Sequence, residues 1–234
     1  MRELARTLVR SATTLAARLR LDRAPVECHE LADVVAELYA NKLVTSTGGN
    51  VSVRAHRDPH HVWITPGQRF KGALRPAHMV PIDLEGRPLD PDAEAPSSEA
   101  LMHTAVLAAR PEVRAVLHCH APHATVLANT DLPFLPISTE AAFVAEIGRI
   151  PYVLPGTREL ADAVVGALGS GWAVLMRNHG LLVAARSLRR AADIAEIVEH
   201  TCQVLLGCHA VGAEPPVLPA GLVAELASRG DLLA

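Results

Sequence analysis

The sequence contains few aromatic residues and few cysteines, and both shortages narrow the class of protein it can encode. Aromatic residues make up 3% of the 234 residues while 50% of the chain is hydrophobic, so its core must be built from aliphatic side chains. Four cysteines in a chain of this size do not form the disulfide framework of a small secreted scaffold. We predict one domain over residues 1–234, with a core from about 5 to 206 and a C-terminal tail from 207 to 234.

A strong charge of one sign and long apolar runs are also missing. The formal net charge is −3 at pH 7, and the basic residues are spread along the chain, which argues against a nucleic-acid partner. No apolar run reaches the roughly 18 residues that a transmembrane helix needs, and the N-terminus has no signal-peptide pattern. We therefore expect a cytoplasmic enzyme with a small-molecule substrate and no membrane partner.

Helical and extended patterns mingle along the chain. Apolar residues recur at helical spacing in segments 3–20, 29–42, 100–109, 121–128, 157–168 and 187–206, and a short helix follows the proline-rich segment 215–219. Segments that favour strands are 51–54, 61–65, 79–84, 113–120, 152–154, 172–176 and 181–184. Because some strands follow one another directly and others are separated by helices, we predict an α/β domain with a mixed sheet and helical layers.

The clearest chemical signal is the tripeptide His118-Cys119-His120 at the end of a predicted strand. Side chains alternate along a strand, so the two imidazoles point the same way, roughly 6–7 Å apart, and Cys119 points into the core. Two imidazoles at that separation can share a divalent metal ion. His179, after another strand, and Glu99, at the start of a helix, are candidate further ligands. In a chain with twelve histidines, the H-x-H pair can also arise by chance.

Two segments have the composition of anion-binding turns. The segment Thr45-Ser-Thr-Gly-Gly-Asn50 opens onto a strand, and its glycines let backbone N–H groups approach a phosphate or a carboxylate. Ser97 and Ser98 precede the helix predicted at 100–109; one of them is expected to be its N-cap, and free N–H groups there can hold an anion. Each segment alone can also be an ordinary turn or cap. His103, one turn along the same helix, is expected to pack in the core or to support a ligand from behind, and not to bind the metal itself.

Several motifs taken together resemble one known family. In chain order they are Gly49-Asn-Val-Ser-Val53, Ile64-Thr-Pro66, Pro96-Ser-Ser-Glu99, His118-x-His120, Gly156-Thr-Arg-Glu-Leu160 and Asn178-His-Gly-Leu181. This order resembles the class II aldolase/adducin family over roughly residues 5–205. The resemblance implies a three-layer α/β/α sandwich with a mixed, mainly antiparallel central sheet. It also implies a homotetramer with active sites at the subunit interfaces.

The resemblance assigns roles to particular residues. It implies that His118, His120 and His179 hold one divalent metal per chain, with Zn favoured and Co, Mn or Fe as alternatives. Glu99 matches the family's catalytic acid/base, which also approaches the metal in the resting enzyme. The positions implied to bind the substrate and its phosphate are Gly49, Asn50, Thr65, Gly67, Ser97 and Ser98.

The chain departs from the family pattern at two places. Many members have a Ser/Thr-Gly pair after Ile-Thr-Pro, whereas this chain has Gly67-Gln68, with Arg69 and Lys71 close behind. The phosphate can then be held differently, or the anionic group can be a carboxylate. An aldolase of the family also uses a tyrosine about twenty residues after its H-x-H motif as a proton donor, whereas the corresponding stretch Phe134-Leu-Pro-Ile-Ser138 contains no tyrosine. Glu140 stands nearby, where related dehydratases use a glutamate, and is the second catalytic candidate.

The implied activity is that of a metal-dependent lyase. It would cleave a C–C bond next to a carbonyl in a small sugar-phosphate-like or keto-acid substrate, by a retro-aldol reaction through a metal-stabilised enediolate. Alternatives are a decarboxylase or dehydratase of the same family, and an iron-dependent oxygenase on the same scaffold. A non-catalytic, adducin-like interaction domain is a further alternative, although such domains lose the metal ligands that this chain retains.

Overall fold

A seven-stranded sheet forms the centre of the computed structural model, which describes residues 24–229. The strands are β1 (Asn50–Arg54), β2 (Val62–Ile64), β3 (Val80–Ile82), β4 (Ala115–Cys119), β5 (Ile147–Ile150), β6 (Ala173–Met176) and β7 (Gly180–Ala185). The helices are α1 (Val26–Ala40), α2 (Ala100–Ala109), α3 (Pro122–Ala128), α4 (Thr139–Ala142), α5 (Arg158–Leu168), α6 (Leu188–Ala210) and α7 (Ala220–Ser228). Two short 3₁₀ turns, Lys71–Ala73 and Pro76–His78, lie between β2 and β3.

The sheet is mixed and mainly antiparallel, as predicted. Its strand order is β3-β2-β1-β4-β7-β6-β5, and β5 with β6 is the one parallel pair among the described strands. That pair is parallel because α5 connects the two strands as a crossover, whereas β6 and β7 are joined by a tight turn. The order places β4 directly between β1 and β7, which brings three distant parts of the chain together.

Helices cover both faces of the sheet, so the predicted α/β/α layering is confirmed. Leu117 of β4 belongs to a core cluster with residues of α1, α3 and α6, such as Leu31. Val116, one residue earlier, belongs to a second cluster with residues of α2 and α5, such as Leu160. Burying one such aliphatic side chain contributes about 1.5–3 kcal/mol, so alternation along β4 stabilises both layers. Cys119 is fully buried in the first cluster, opposite His118, as the pattern predicted.

Some predicted boundaries were wrong. The strand predicted at 152–154 does not form; β5 lies earlier, at Ile147–Ile150, and Tyr152 and Leu154 are exposed. Pro151 and Pro155 flank the predicted segment, and a proline has no N–H to donate to a neighbouring strand. Helix α1 begins before residue 29, at Val26, and α6 extends beyond 206, to Ala210. The helix predicted at 3–20 lies outside the described residues. Among residues 24–229, no helix has the length and apolarity needed to cross a bilayer.

Candidate active site

Three histidines meet where two neighbouring central strands, β4 and β7, have their ends on the same side of the sheet. His118 is in β4, His120 follows that strand, and His179 lies in the turn between β6 and β7. One ring nitrogen from each lies within 4.8 Å of the others. His118 Nε2 and His120 Nε2 are 3.1 Å apart, and the rings of His118 and His179 have centroids 4.6 Å apart. The pairing of β4 with β7 therefore completes the cluster that the H-x-H spacing predicted in part.

The hydrogen bonds of His118 aim its free nitrogen into the cluster. Its Nδ1 lies 3.0 Å from Leu181 O, and because a carbonyl only accepts, Nδ1 must carry the proton. Nε2 then has its lone pair directed at His120. Burial lowers the pKa of His118, and burial together with the neighbouring His179 lowers that of His120. Histidine binds metals as a neutral imidazole, and the ring nitrogen that does not bind the metal usually donates a hydrogen bond to a carbonyl or a carboxylate.

Glu99 adds a carboxylate to this cluster from the start of α2. Its Oε1 lies 3.1 Å from His179 Nε2, and its Oε2 lies 3.4 Å from His118 Nε2. Asn50 Nδ2 donates to Oε2 over 2.9 Å. Burial alone would raise the pKa of Glu99, but His179, His118 and Asn50 outweigh burial and hold that pKa well below its usual range. The carboxylate is therefore ionised at neutral pH.

Two buried atoms of the cluster have unused bonding capacity. His179 Nδ1 has no hydrogen-bond partner within the described part of the chain, and Glu99 Oε1 makes no hydrogen bond of good geometry there, although it lies 3.1 Å from His179 Nε2. Buried polar atoms are nearly always satisfied, so unsatisfied ones call for an ion or a ligand. Three imidazoles and a carboxylate are ligands that Zn²⁺ and similar divalent ions accept. The residues present thus fit a divalent metal ion.

The histidine cluster opens onto a cleft of about 710 Å³. The predicted substrate-binding residues that line this cleft, together with Glu99, His120 and His179, are Gly49, Asn50, Gly67, Ser97 and Ser98. Thr65 does not line it; the Thr65 hydroxyl oxygen accepts a hydrogen bond from Val51 N over 3.2 Å and supports the wall from behind. Glu140 is exposed on α4 and is not among the lining residues of its own chain.

Local geometry explains two of the lining positions. Gly49 has φ +83°, and a Cβ there would lie 2.6 Å from Val44 Cγ1, so only glycine fits the turn. The predicted N-cap role of Ser97 or Ser98 was wrong, since the N-cap residue of α2 is Glu99, which makes no capping hydrogen bond with its side chain. The Ser97 hydroxyl oxygen instead accepts from Glu99 N over 3.3 Å, a bond two residues along the chain. Ser97 thereby helps to position the catalytic candidate.

His103 contacts Asn50 and Ser52 and lies outside the histidine cluster, which matches one of the two roles that the sequence suggested for it. It is fully buried, its Nε2 lies 2.5 Å from Asn50 Oδ1, and its Nδ1 lies 2.8 Å from Ser52 Oγ. Because the Glu99 carboxylate only accepts, the amide N–H of Asn50 must face it, and His103 Nε2–H must donate to the amide oxygen. Burial lowers the pKa of His103 to about 4, so the ring stays neutral and can also accept from Ser52. The helical spacing of Glu99 and His103 was the available sequence signal.

Replacing His103 with leucine should disturb Glu99 through Asn50. Without the Nε2–H donor, the amide of Asn50 is free to turn away from the carboxylate, and we expect turnover to fall about 10- to 100-fold. The free energy of unfolding should also fall by about 1–3 kcal/mol, because Ser52 and Asn50 lose a buried partner. His103→Gln retains an N–H donor and should recover much of the turnover. Equal turnover in the two variants, measured as kcat, would show that Asn50 does not need this bond.

The residues on each side of His179 fix the position of its turn. Asn178 has φ +55°, and its backbone N–H donates to Asn129 Oδ1 over 2.6 Å. A Cβ placed on Gly180 would lie 2.4 Å from Cys119 O and 3.2 Å from His120 Cδ2. Glycine at this position therefore lets β7 approach β4 closely enough for the ligands to meet.

We expect Gly180→Ala to lower the free energy of unfolding by about 1–3 kcal/mol, because the added methyl must push β4 and β7 apart. The same shift moves His120, so affinity for Zn²⁺ should fall as well. Urea unfolding and a competitive zinc titration measure the two effects. Gly166→Ala is the matched control: among residues 24–229, no atom lies within 4 Å of a Cβ at this position in α5. That change should instead stabilise the helix by about 0.5–1 kcal/mol. Equal behaviour of the two variants would contradict the close packing of Gly180.

Comparisons with known proteins identify the family to which the chain belongs. A family profile described as "Class II Aldolase and Adducin N-terminal domain" matches residues 29–206. A 5-deoxy-D-ribulose 1-phosphate aldolase of Bacillus thuringiensis serovar kurstaki is 31% identical over 206 residues, 86% of this chain and 94% of that protein. A 3-oxo-tetronate 4-phosphate decarboxylase of Haemophilus influenzae is 32% identical over 177 residues, 71% of this chain and 80% of that protein. A solved structure of an L-fuculose 1-phosphate aldolase has a TM-score of 0.79 and 30% identity, with 88% of this chain and 96% of that chain covered. The chain therefore belongs to the class II aldolase/adducin family.

Proposed function

We propose that this protein is a metal-dependent lyase that cleaves a phosphorylated ketose by a retro-aldol reaction. The proposal rests on the convergence of His118, His120 and His179 with the ionised Glu99 on one cleft. The relatives named above support a sugar-phosphate substrate, because 5-deoxyribulose 1-phosphate and fuculose 1-phosphate are both ketoses phosphorylated at C1.

The three histidines would hold one divalent ion, Zn²⁺ being our first choice and Co, Mn or Fe the others. Such an ion supplies Lewis-acid stabilisation of the negative charge that develops on the substrate oxygens. Glu99 lies against the same nitrogens, so its carboxylate would also be available as a ligand to such an ion. The family resemblance further supports a homotetramer with interfacial sites in the cytoplasm.

Cleavage between C3 and C4 of a ketose 1-phosphate removes the proton of the C4 hydroxyl and releases an aldehyde. The electrons of the broken bond remain on the three-carbon fragment as an enediolate, and a proton added at C3 gives dihydroxyacetone phosphate. Glu99 is ionised in the unliganded protein, so it would first take up a proton from solvent and would then deliver that proton to C3. Glu140 remains our candidate for the proton of the C4 hydroxyl. Because it lies outside the cleft of its own chain, it would act in the cleft of a neighbouring subunit.

Decarboxylation is the second candidate function, and the 3-oxo-tetronate 4-phosphate decarboxylase among the relatives favours it. Loss of CO₂ from that β-keto acid leaves the same three-carbon enediolate, so the same histidines and the same proton delivery by Glu99 suffice. The two reactions differ only in the group that leaves, an aldehyde or CO₂.

The experiment that tests the proposal combines metal analysis with a product assay. We expect about one Zn, Co or Mn per chain, and release of dihydroxyacetone phosphate from a ketose 1-phosphate. The release is followed through NADH oxidation by glycerol-3-phosphate dehydrogenase. Release of the same product with CO₂ from 3-oxo-tetronate 4-phosphate alone would make the protein a decarboxylase. Iron with oxygen uptake would indicate an oxygenase, and failure to bind metal after reconstitution would indicate an interaction domain.

A further inference from the structure

Lys71 is buried in the wall of the cleft without a counter-charge. Its side chain is 2% exposed, at the start of the 3₁₀ turn Lys71–Ala73. Its Nζ donates to Pro66 O over 3.2 Å, the one hydrogen bond that its ammonium group makes to residues 24–229. An ammonium group has three N–H donors, so two remain available. No ion pair joins Lys71 to a carboxylate in the same part of the chain.

The position of Lys71 connects the two segments that resemble anion-binding turns. Its backbone N–H donates to Ser46 O over 2.9 Å, immediately before the turn that contains Gly48 and Gly49. Pro66, whose carbonyl it contacts, pairs with Pro96 in an isolated β-bridge, and Ser97 follows. Lys71 and both turns line the same cleft. An anion between the turns would therefore meet donors from several directions.

Lys71 is also the one lysine or arginine among the described residues that line the cleft. Arg69, two residues earlier, is exposed and pairs with Glu94 over 2.5 Å. A buried ammonium group without a counter-charge costs free energy, and an anion that enters beside it removes much of that cost. Burial lowers the pKa of Lys71 to about 8, so most of the population is still charged at neutral pH.

We propose that Lys71 is the cationic anchor that binds the phosphate of the substrate and makes the enzyme selective for phosphorylated ketoses. This inference rests on the proposed lyase function. It favours a phosphate over a carboxylate, because a phosphate has three terminal oxygens and the lysine shares the site with hydroxyl and backbone donors. The Ser97 hydroxyl, whose oxygen accepts from Glu99 N, still has its proton to donate. In this chain a buried lysine thus compensates for the Ser/Thr-Gly pair that Gly67-Gln68 replaces.

The test compares two probes that differ only by the phosphate, dihydroxyacetone and dihydroxyacetone phosphate, on the zinc-loaded protein by calorimetry. In Lys71→Met the affinity for dihydroxyacetone phosphate should fall about 10- to 100-fold, because a charge-assisted hydrogen bond is lost. The affinity for dihydroxyacetone should stay as in the wild type. Arg69→Met removes a positive charge two residues away and should bind both probes normally. An unchanged affinity ratio in Lys71→Met would overturn the proposal.

Two further readouts separate a binding role from a structural one. Without ligand, Lys71→Met should have the same or a higher Tm at pH 7, because the buried charge is gone; a lower Tm with an unchanged affinity ratio would mean that Lys71 only supports Pro66. In the wild type, the advantage of the phosphorylated probe should shrink as pH rises through about 8, where Lys71 loses its proton. A flat profile would also overturn the proposal, and this measurement needs no variant.

Failure of the lyase proposal would look different from failure of this one. If the protein does not act on ketoses, dihydroxyacetone will not bind to the zinc-loaded enzyme. Inorganic phosphate should still raise the Tm of the wild type, and should do so less in Lys71→Met. If phosphate raises the Tm of both proteins equally, the anion site does not depend on Lys71, whatever reaction the enzyme performs.

Discussion

Replacing His179 with alanine is expected to remove the metal ion and to abolish C–C cleavage. His179 lies in the turn between β6 and β7 and not within a strand, so we expect its loss to leave the sheet intact. Its side chain is 10% exposed. Two imidazoles remain, which hold a divalent ion more weakly than three. Losing several kcal/mol of transition-state stabilisation corresponds to a fall in turnover of about a thousandfold. His118→Ala should have the same effect on metal and turnover.

The measurement is metal content per chain after dialysis, followed by release of dihydroxyacetone phosphate. His118 is fully buried, so His118→Ala also opens a cavity. A loss of stability would then accompany any loss of metal, which makes His179→Ala the easier variant to interpret. His123→Ala is the matched control, because His123 lies on α3 with its Nδ1 2.7 Å from Glu199 Oε1 and outside the histidine cluster. That variant should keep both metal and turnover. Full metal occupancy in His179→Ala or His118→Ala would reject the ligand assignment.

Glu99→Gln is expected to keep the metal and lose turnover. Glutamine has the shape of glutamate, and its amide oxygen can still accept the hydrogen bond from Asn50 Nδ2. The histidines are unchanged, so the metal should stay bound. The amide cannot exchange a proton with the substrate carbon, and general acid–base catalysis typically contributes about 100- to 10,000-fold.

The experiment measures kcat and metal content on the same preparation of Glu99→Gln. Glu112→Gln serves as control, because Glu112 is an exposed carboxylate that pairs with Arg110 away from the cleft. We expect the control to match the wild type in both quantities. Turnover at the wild-type rate in Glu99→Gln would remove Glu99 from the mechanism, whereas loss of metal would make it chiefly a ligand.

The sequence alone predicted those features of the site that depend on a single secondary-structure element. The two-residue period of a strand places His118 and His120 on one side, and Cys119 in the core, without knowledge of the rest of the fold. The contact between His118 and His179 depends instead on the pairing of β4 with β7, whose register is set by strands far apart in sequence. The sequence alone offered His179 as one candidate ligand among others, and the family resemblance implied that it joins His118 and His120.

The surroundings of the other site residues depend on contacts between elements that are distant in the sequence. The charge of Lys71 is visible in the sequence, but its burial depends on how a 3₁₀ turn folds against α1 and the cleft. His103 was expected either to pack or to support a ligand. The cross-strand pairing of Asn50 with His118 decides between the two, because it places the amide of Asn50 between His103 and Glu99. Glu140 was chosen by its distance along the chain, which says little about where an exposed helix places it.

The ligands come from two points of the chain with α3, α4, β5, α5 and β6 between them. A bound ion would therefore close a long covalent loop, as a disulfide does, and reduce the conformational entropy of the unfolded chain wherever the ion stayed attached. An ion that binds only the folded protein shifts the folding equilibrium according to its free concentration. In either case the strands β5, β6 and β7 would separate from β4 less often when the ion is present. The candidate metal site would then also hold the turn between β6 and β7 against β4.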